Sequence, residues 1–320
     1  MIKEKKLNIK IKLFEEKYLS QALALLNESD HTNRSLSTWQ NNSMTAVLAF
    51  HDEVLIGIIP FEQHEIKLST ENKIDGLWVS GAYVKPAYRS LGIGSLMDHE
   101  IKKIYSDKQI IMVMRHDEGT DAFRWYIKNN YIILSEILSL KMEIKPKTPK
   151  EAKNYDIINS DEIGEYSDKL LQIFKNHHID KANYPERSIK SWKDRIQFHY
   201  YQNFYKFFVI LTKSNTGVRN FALLGETSIK DNILRIDILE LSCKNNKEDI
   251  TNLFEKIHHF GMARNVNELR IQVSKYDNIR NAALNYGFTL RWKTNLMYKS
   301  LNSKNRLSKI DTRFFQIDYI

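Results

Sequence analysis

A short segment near residue 90 has the residue types that bind an anion. It reads Val84-Lys85-Pro86-Ala87-Tyr88-Arg89-Ser90-Leu91-Gly92-Ile93-Gly94-Ser95. Glycine lets a backbone approach a ligand closely, and the first amide N–H groups of a helix have no partner within the helix. The helix dipole and the guanidinium of Arg89 add positive charge at the same place. The segment therefore predicts a site for an anion such as a pyrophosphate.

Such a loop needs a strand before it and a helix after it, and the sequence predicts both. Leu77 to Val84 has the character of a strand, and Gly81 within it indicates a bulge that splays the sheet. The predicted helix spans residues 92–105, and its apolar stripe consists of Ile93, Leu96, Met97, Ile101 and Ile104. The spacing excludes a Rossmann fingerprint and a Walker nucleotide loop, which need other glycine patterns.

The same order of elements occurs twice along the chain. Residues 1–145 predict the order β-α-β-β-β-α-β-α-β-β, which ends with strands near Tyr131–Ser135 and Ile137–Ile144. Two prolines and three lysines at 145–150 then interrupt the pattern. The order returns in residues 151–300, with an additional helical segment predicted around 189–200. Residues 301–320 lie beyond the repeat.

In the segment from Val84 to Ser95, a strand ends in Val-x-Pro, and Arg89, Gly92 and Gly94 then match the pattern Arg/Gln-x-x-Gly-x-Gly/Ala. The first half thereby resembles the Gcn5-related N-acetyltransferase (GNAT) superfamily. The resemblance implies an α/β (α+β) protein with two tandem GNAT-like domains, each a mixed, splayed central sheet flanked by helices. Residues 1–145 would form the catalytic domain that binds acetyl-CoA, 151–300 a degenerate domain and 301–320 a C-terminal extension.

The resemblance also implies which residues hold coenzyme A. The pantetheine arm would pair with the backbone of Tyr83 and Val84. The pyrophosphate would bind the amides of the loop and first helical turn, namely Arg89, Ser90, Leu91, Gly92, Ile93, Gly94 and Ser95.

A second segment, from Ala122 to Tyr131, resembles the family's Ala-x-x-x-Tyr-x-x-x-Gly-Phe signature. By resemblance, Tyr126 is the general acid that protonates the departing thiolate, a role that suits a phenol held near sulfur. The segment departs from the family pattern at Asn130 and Tyr131, and Gly119 stands where an asparagine is common. A tyrosine that only packs is the alternative.

The general base is less clearly marked, because many carboxylates and histidines lie near the predicted cleft. Asp117 and Glu118 are the leading candidates, since they follow the strand that lines it. The other candidates are Glu62, His64, Glu65, Asp75 and His116.

The second copy lacks the residues that carry chemistry in the first. When Tyr131 is aligned with Phe288, the loop residues Arg89, Gly92 and Gly94 fall on Asn246, Asp249 and Thr251, and Tyr126 falls on Ala283. A carboxylate at the start of a helix repels an anion. We therefore expect one cofactor site, and a second copy that covers the acceptor cleft.

Composition narrows the other classes of function. The net charge is +9, but lysines and acids are interspersed, so we expect no nucleic-acid surface. One cysteine, Cys243, excludes an internal disulfide and fits the cytoplasm, and the N-terminus lacks the apolar run of a membrane span. His177-His178 and His258-His259 lack further ligands at metal spacing, so no metal is expected.

The sequence thus predicts an N-acyltransferase that uses an acyl-CoA, most simply acetyl-CoA, and transfers the acyl group to a primary amine in a ternary complex. A small-molecule amine is the leading acceptor, and a protein or peptide is the second. The alternative is a sensor or scaffold that binds acyl-CoA without turnover. Oligomeric state is left open.

Overall fold

The computed structural model describes most of the chain. The described residues are 8–28, 45–68, 72–79, 82–106, 111–145, 155–178, 181, 184–185, 187, 205–214, 217–228, 233–244 and 246–301. The predicted helical segment around 189–200, Gly81 and residues 302–320 lie outside them.

Fourteen strands and six α-helices are found in these residues. The strands are β1 Ile9–Leu13, β2 Thr45–His51, β3 Val54–Lys67, β4 Lys73–Val79, β5 Tyr83–Val84, β6 Ile111–His116, β7 Ile132–Glu143, β8 Tyr155–Asn159, β9 Tyr184–Pro185, β10 Lys206–Ser214, β11 Gly217–Ser228, β12 Leu234–Ser242, β13 Glu268–Ser274 and β14 Thr289–Ser300. The helices are α1 Leu19–Glu28, α2 Ile93–Ile104, α3 Asp121–Lys128, α4 Ile163–His177, α5 Lys247–Ala263 and α6 Asn278–Tyr286.

The strands form one continuous mixed sheet with a repeated order. Its path is β1-β2-β3-β4-β6-β14-β7-β13-β12-β11-β10-β8, with β5 and β9 pairing with β3. In each half, neighbouring strands are antiparallel except one pair: β4 with β6 in the first half, and β12 with β13 in the second. This is the predicted α/β (α+β) class, with mixed sheets built on the same plan in both halves.

Among the described strands, the last strand of each half pairs only with strands of the other half. β14 lies between β6 and β7, with Ser300 opposite Ile111, and β7 lies between β14 and β13. The two halves therefore exchange their final strands at the centre of the sheet. The backbone hydrogen bonds of each half's sheet depend on a segment that is distant in sequence.

This exchange corrects the predicted end of the first half. Two strands were expected near Tyr131–Ser135 and Ile137–Ile144, but a single strand, β7, covers both. β7 is one strand because its partner β14 pairs with it over nearly its whole length. Local periodicity does not reveal such a partner.

Helices cover both faces of the sheet and form separate buried clusters. In the first half, α2 and α3 pack on one face with Val47, Phe61 and Leu77, while α1 packs on the other. In the second half, α5 and α6 take the first of these places and α4 the second. Each helix buries one apolar stripe against the sheet, so the structure has three layers, with helices on either side of the sheet.

The parallel strands separate in both halves. In the first half, β3 pairs through Phe61 with Val79 and through Ile58 with Tyr83. The two pairs are three residues apart on β3 and four residues apart on the partner side, so the register shifts by one residue. In the second half, the pairing register of β11 with β12 shifts after Leu223. The parallel pairing of β4 with β6 extends only as far as Trp78. A bulge of this kind bends a strand away from its neighbour and opens a cleft.

Candidate acyl-CoA site

The predicted anion loop lies at the start of α2, directly after β5. Ser90 and Gly92 have positive φ angles of 63° and 78°, and Gly92 is the N-cap residue of the helix. No cap bond from a side chain occupies the first turn, and that turn contains no acidic residue. The N–H groups of Ile93, Gly94 and Ser95 lack intrahelical acceptors, so the loop fits an anion.

Arg89 is held beside this loop by the strand that precedes it. Its Nε donates a hydrogen bond to the carbonyl oxygen of Val84 at 3.0 Å, and its guanidinium lies 5.5 Å from the ring centre of Tyr83. The side chain is exposed, and the described residues give its two terminal nitrogens no hydrogen-bond acceptor. These donors can meet a phosphate oxygen.

The two glycines of the loop have different structural roles. A Cβ atom at Gly92 would meet nothing within 4 Å, so its positive φ is the constraint there. A Cβ atom at Gly94 would lie 3.2 Å from Nε1 of Trp125 in α3. That indole donates to the hydroxyl of Ser95 at 3.1 Å, so Gly94 permits α3 to pack closely on the first turn of α2.

One edge of the predicted pantetheine strand has no strand neighbour in the described residues, and the Val84 carbonyl there accepts a hydrogen bond from Arg89. Tyr83 and Val84 pair with Ile58 and Gly57 of β3. On the opposite edge, no strand in the described part of the chain pairs with β5, because β6 pairs with β4 only up to Trp78. An extended ligand can add to such an edge through backbone hydrogen bonds.

Tyr126 lies in the core between α3 and the sheet. Only 3% of its surface is exposed, and it belongs to the same buried cluster as Val79, the last residue of β4. Its ring packs against Trp125 and Tyr131 at 4.6 and 5.0 Å. Burial raises the pKa of the Tyr126 phenol well above its ordinary value, and the Asp98 carboxylate raises it further. The phenol is protonated at neutral pH, and its burial makes it a weaker acid than an exposed tyrosine.

Asp117 and Glu118 are exposed and follow β6 directly. The carboxylate of Glu118 accepts a hydrogen bond from the side-chain amide of Asn295 at 3.2 Å, so β14 restrains this loop. The structure brings both acids to the end of β6, on the side where β4 and β6 separate.

Two lower-ranked candidates form a pair elsewhere. His64 Nε2 lies 2.9 Å from the Glu62 carboxylate, and both side chains are largely shielded. Phe61 packs towards α2, so its neighbour Glu62 points to the opposite face of the sheet. Glu65 lies 4.0 Å from Lys73 at the far end of β3.

Comparison with solved structures identifies the fold. A GNAT protein from Anabaena variabilis superposes with a TM-score of 0.69 at 11% identity, covering 92% of this chain and 73% of that one. A probable N-acyltransferase from Enterococcus faecalis gives 0.67 at 10% identity, covering 92% and 73%. Saccharomyces cerevisiae N-myristoyltransferase with bound myristoyl-CoA gives 0.63 at 9% identity, covering 98% and 89%.

The chain has the GNAT fold. No family model matches the sequence, and no curated protein matches it either. The predicted resemblance is thus confirmed at the level of the fold, since all these identities are far too low to carry more.

The second GNAT-like half closes its own helix start with side chains. Asn246 is the N-cap of α5 and accepts a hydrogen bond from the Asp249 amide at 2.8 Å. Asp249 in turn accepts from Arg219 at 3.1 Å, and Glu248 adds a further negative charge in the first turn. At the start of α5, side chains therefore bond to the first amides and add negative charge, whereas no side chain caps the start of α2.

The equivalence of Tyr126 and Ala283 has direct support. The Tyr131 amide bonds to the Tyr126 carbonyl, and the Phe288 amide bonds in the same way to the Ala283 carbonyl, both at 3.0 Å. Ala283 is fully buried. The second half therefore has a methyl group where the first half has a phenol.

Sequence reasoning missed Asp98 and Lys299. Asp98 is 3% exposed on the buried face of α2, and Lys299 is 9% exposed in β14. The sequence could have indicated Asp98, because an acid next to Met97 lies in an apolar stripe. No local pattern indicates Lys299, because its partner is about two hundred residues away.

Other kinds of site find no support in the described segments. Within them, no group of three His, Cys, Asp or Glu side chains could hold a metal ion. No helix of the described chain is long and apolar enough to cross a membrane.

Proposed function

We propose that this chain is an acyl-CoA-dependent N-acyltransferase that uses acetyl-CoA and acylates a primary amine. The observation that carries the proposal is the bare start of α2, with a positive-φ glycine, no acid in its first turn and Arg89 beside it, directly after the edge of β5 that has no strand neighbour in the described residues. The pyrophosphate of coenzyme A suits the helix start, and its pantetheine arm suits the strand edge.

The reaction is direct transfer in a ternary complex. The amine nitrogen attacks the thioester carbonyl carbon, the carbon–sulfur bond breaks, and coenzyme A leaves as a thiolate that takes a proton from Tyr126. Asp117 or Glu118 accepts the proton that the amine loses, directly or through water. The products are the acylated amine and the free thiol, so no covalent enzyme intermediate is needed.

The two halves have different tasks in this proposal. Residues 1–145 hold the cofactor and the acid, and residues 151–300 keep the fold without a cofactor site, since Asp249 and Ala283 replace the necessary groups. We propose that the second half covers the acceptor cleft. A small-molecule amine is the proposed acceptor.

The first test is binding of acetyl-CoA and coenzyme A by calorimetry. The intact chain should bind one molecule, and Gly92→Glu should abolish binding, because a carboxylate would project from an open position at the helix start. Gly287→Glu is the matched control, since Gly287 also has positive φ but caps α6 in the second half. An intact chain that binds neither compound would refute the proposal.

The second test separates a catalyst from a protein that only binds acyl-CoA. Tyr126→Phe should lower the turnover number about 100-fold, as expected for loss of a general acid, with unchanged affinity for acetyl-CoA. Turnover is measured as release of the coenzyme A thiol with a panel of primary amines. Equal turnover in both proteins would remove Tyr126 from the mechanism.

A further inference from the structure

A buried ionic network joins the cofactor helix to the second half of the chain. The Tyr131 hydroxyl donates to one oxygen of Asp98 at 2.8 Å, and Lys299 Nζ donates to the other at 2.6 Å. Lys299 Nζ also lies 5.2 Å from the ring centre of Tyr131. All three residues are at least nine-tenths buried. Asp98 belongs to α2, whereas Lys299 belongs to the exchanged strand β14.

The second half has apolar residues in the places that match Tyr131 and Lys299. Phe288 corresponds to Tyr131, and its ring packs on Phe254 of α5 at 5.2 Å. Lys299 is opposite Met112, the second residue of β6, and Met142 is opposite Leu269, the second residue of β13. The exchanged strands thus place methionine in one half where they place lysine in the other.

This comparison shows that the fold accepts apolar residues at the positions of Tyr131 and Lys299. A buried ion pair is rarely more stabilising than well-packed apolar residues of similar volume, because both charges lose their hydration. Stability alone is therefore a weak reason for the first half to have Asp98 and Lys299. The half with the polar version is also the half with the bare helix start and the buried phenol.

We propose that Lys299 and Asp98 are positioning residues for acyl transfer, which hold α2 and, through Tyr131, the ring of Tyr126. This inference rests on the proposed function. Tyr131 contacts Tyr126 edge-on with 5.0 Å between ring centres, and Asp98 lies less than two turns from Gly92. A displaced phenol loses catalysis even when the cofactor still binds, because proton transfer requires close hydrogen-bond geometry.

The test replaces the network with apolar residues, and those at positions 131 and 299 are the residue types of the second half. The variant is Asp98→Leu with Tyr131→Phe and Lys299→Met. It should fold and bind acetyl-CoA within about threefold of wild type, with a turnover number lowered about tenfold or more. A folded variant with wild-type turnover would show that the network only supports folding, and would overturn the proposal.

Single substitutions keep the test decisive if the triple variant does not fold. Lys299→Met should lower turnover about tenfold at a temperature where near-ultraviolet circular dichroism shows the native state, and Lys299→Arg should restore it to within about threefold. The matched control is Arg264→Met, which removes a cation from the partly buried pair with Glu226 in the second half. It should lower the melting temperature and leave turnover unchanged.

The outcomes separate this inference from the proposed function. If the wild-type chain does not bind acetyl-CoA, the proposed function fails. If it binds and turns over, but Lys299→Met equals wild type or Arg264→Met loses as much turnover as Lys299→Met, only the positioning role fails. A selective loss in Lys299→Met, with rescue in Lys299→Arg, supports both.

Discussion

Separating the two halves tests most directly whether each half depends on the strand that the other half supplies. A chain of residues 1–150 keeps the whole predicted cofactor site but loses β14. That strand lies between β6 and β7, so its removal leaves both without their shared neighbour. It also removes Lys299 from the buried carboxylate of Asp98. We expect that residues 1–150 do not fold alone.

The magnitude follows from the side chains that β14 buries in the first half. Leu296, Met297 and Tyr298 are no more than 5% exposed. Burial of each such side chain contributes about 1.5–3 kcal/mol, so their loss costs about 5–9 kcal/mol. Whole domains are stable by about 5–15 kcal/mol, and an unpaired buried carboxylate costs several more. The stability of the isolated first half is therefore expected near zero.

The assay compares residues 1–150 alone with the same chain co-expressed with residues 151–320. The isolated half should be insoluble or lack a cooperative thermal transition, and the co-expressed halves should co-purify and bind acetyl-CoA. A soluble monomer of residues 1–150 that unfolds cooperatively and binds acetyl-CoA would refute the reasoning. If it also acylated amines like the full chain, the second half would not be needed over the acceptor cleft.

Three further predictions concern the cofactor site and the buried tyrosines. Gly94→Ala should weaken acetyl-CoA binding about tenfold in calorimetry, because its Cβ would press on Trp125 at the first turn of α2, whereas Gly287→Ala should lower the melting temperature without changing affinity. Arg89→Gln should weaken binding about tenfold, and added salt should reduce the difference from wild type, since a phosphate contact is lost. Because burial raises the pKa values of Tyr126 and Tyr131 above their values in the unfolded chain, the contribution of these phenols to stability should be constant below pH 10 and be lost above it, as the difference in thermal melting between wild type and Tyr126→Phe from pH 8 to 11 can check. A wild-type melting temperature that rises relative to that of Tyr126→Phe above pH 10 would contradict this sign.

The sequence alone determined the local features of the proposed site. Glycine spacing after a strand predicted the loop at Gly92, because a positive φ and a bare helix start depend on only a few neighbouring residues. The repeat of elements predicted two halves on one plan, and the aligned pair Tyr126 and Ala283 has the same backbone bond in the structure. Periodicity carries this information because each element buries its own stripe.

The tertiary structure alone decided how the halves depend on one another. The exchange of β7 and β14 could not be predicted, since the pairing partner of a strand lies outside the window in which periodicity acts. The same exchange brings Lys299 to Asp98 across about two hundred residues. Lys299 is recognised as a buried charge only when its counter-charge is located, and long-range strand pairing is what locates it here.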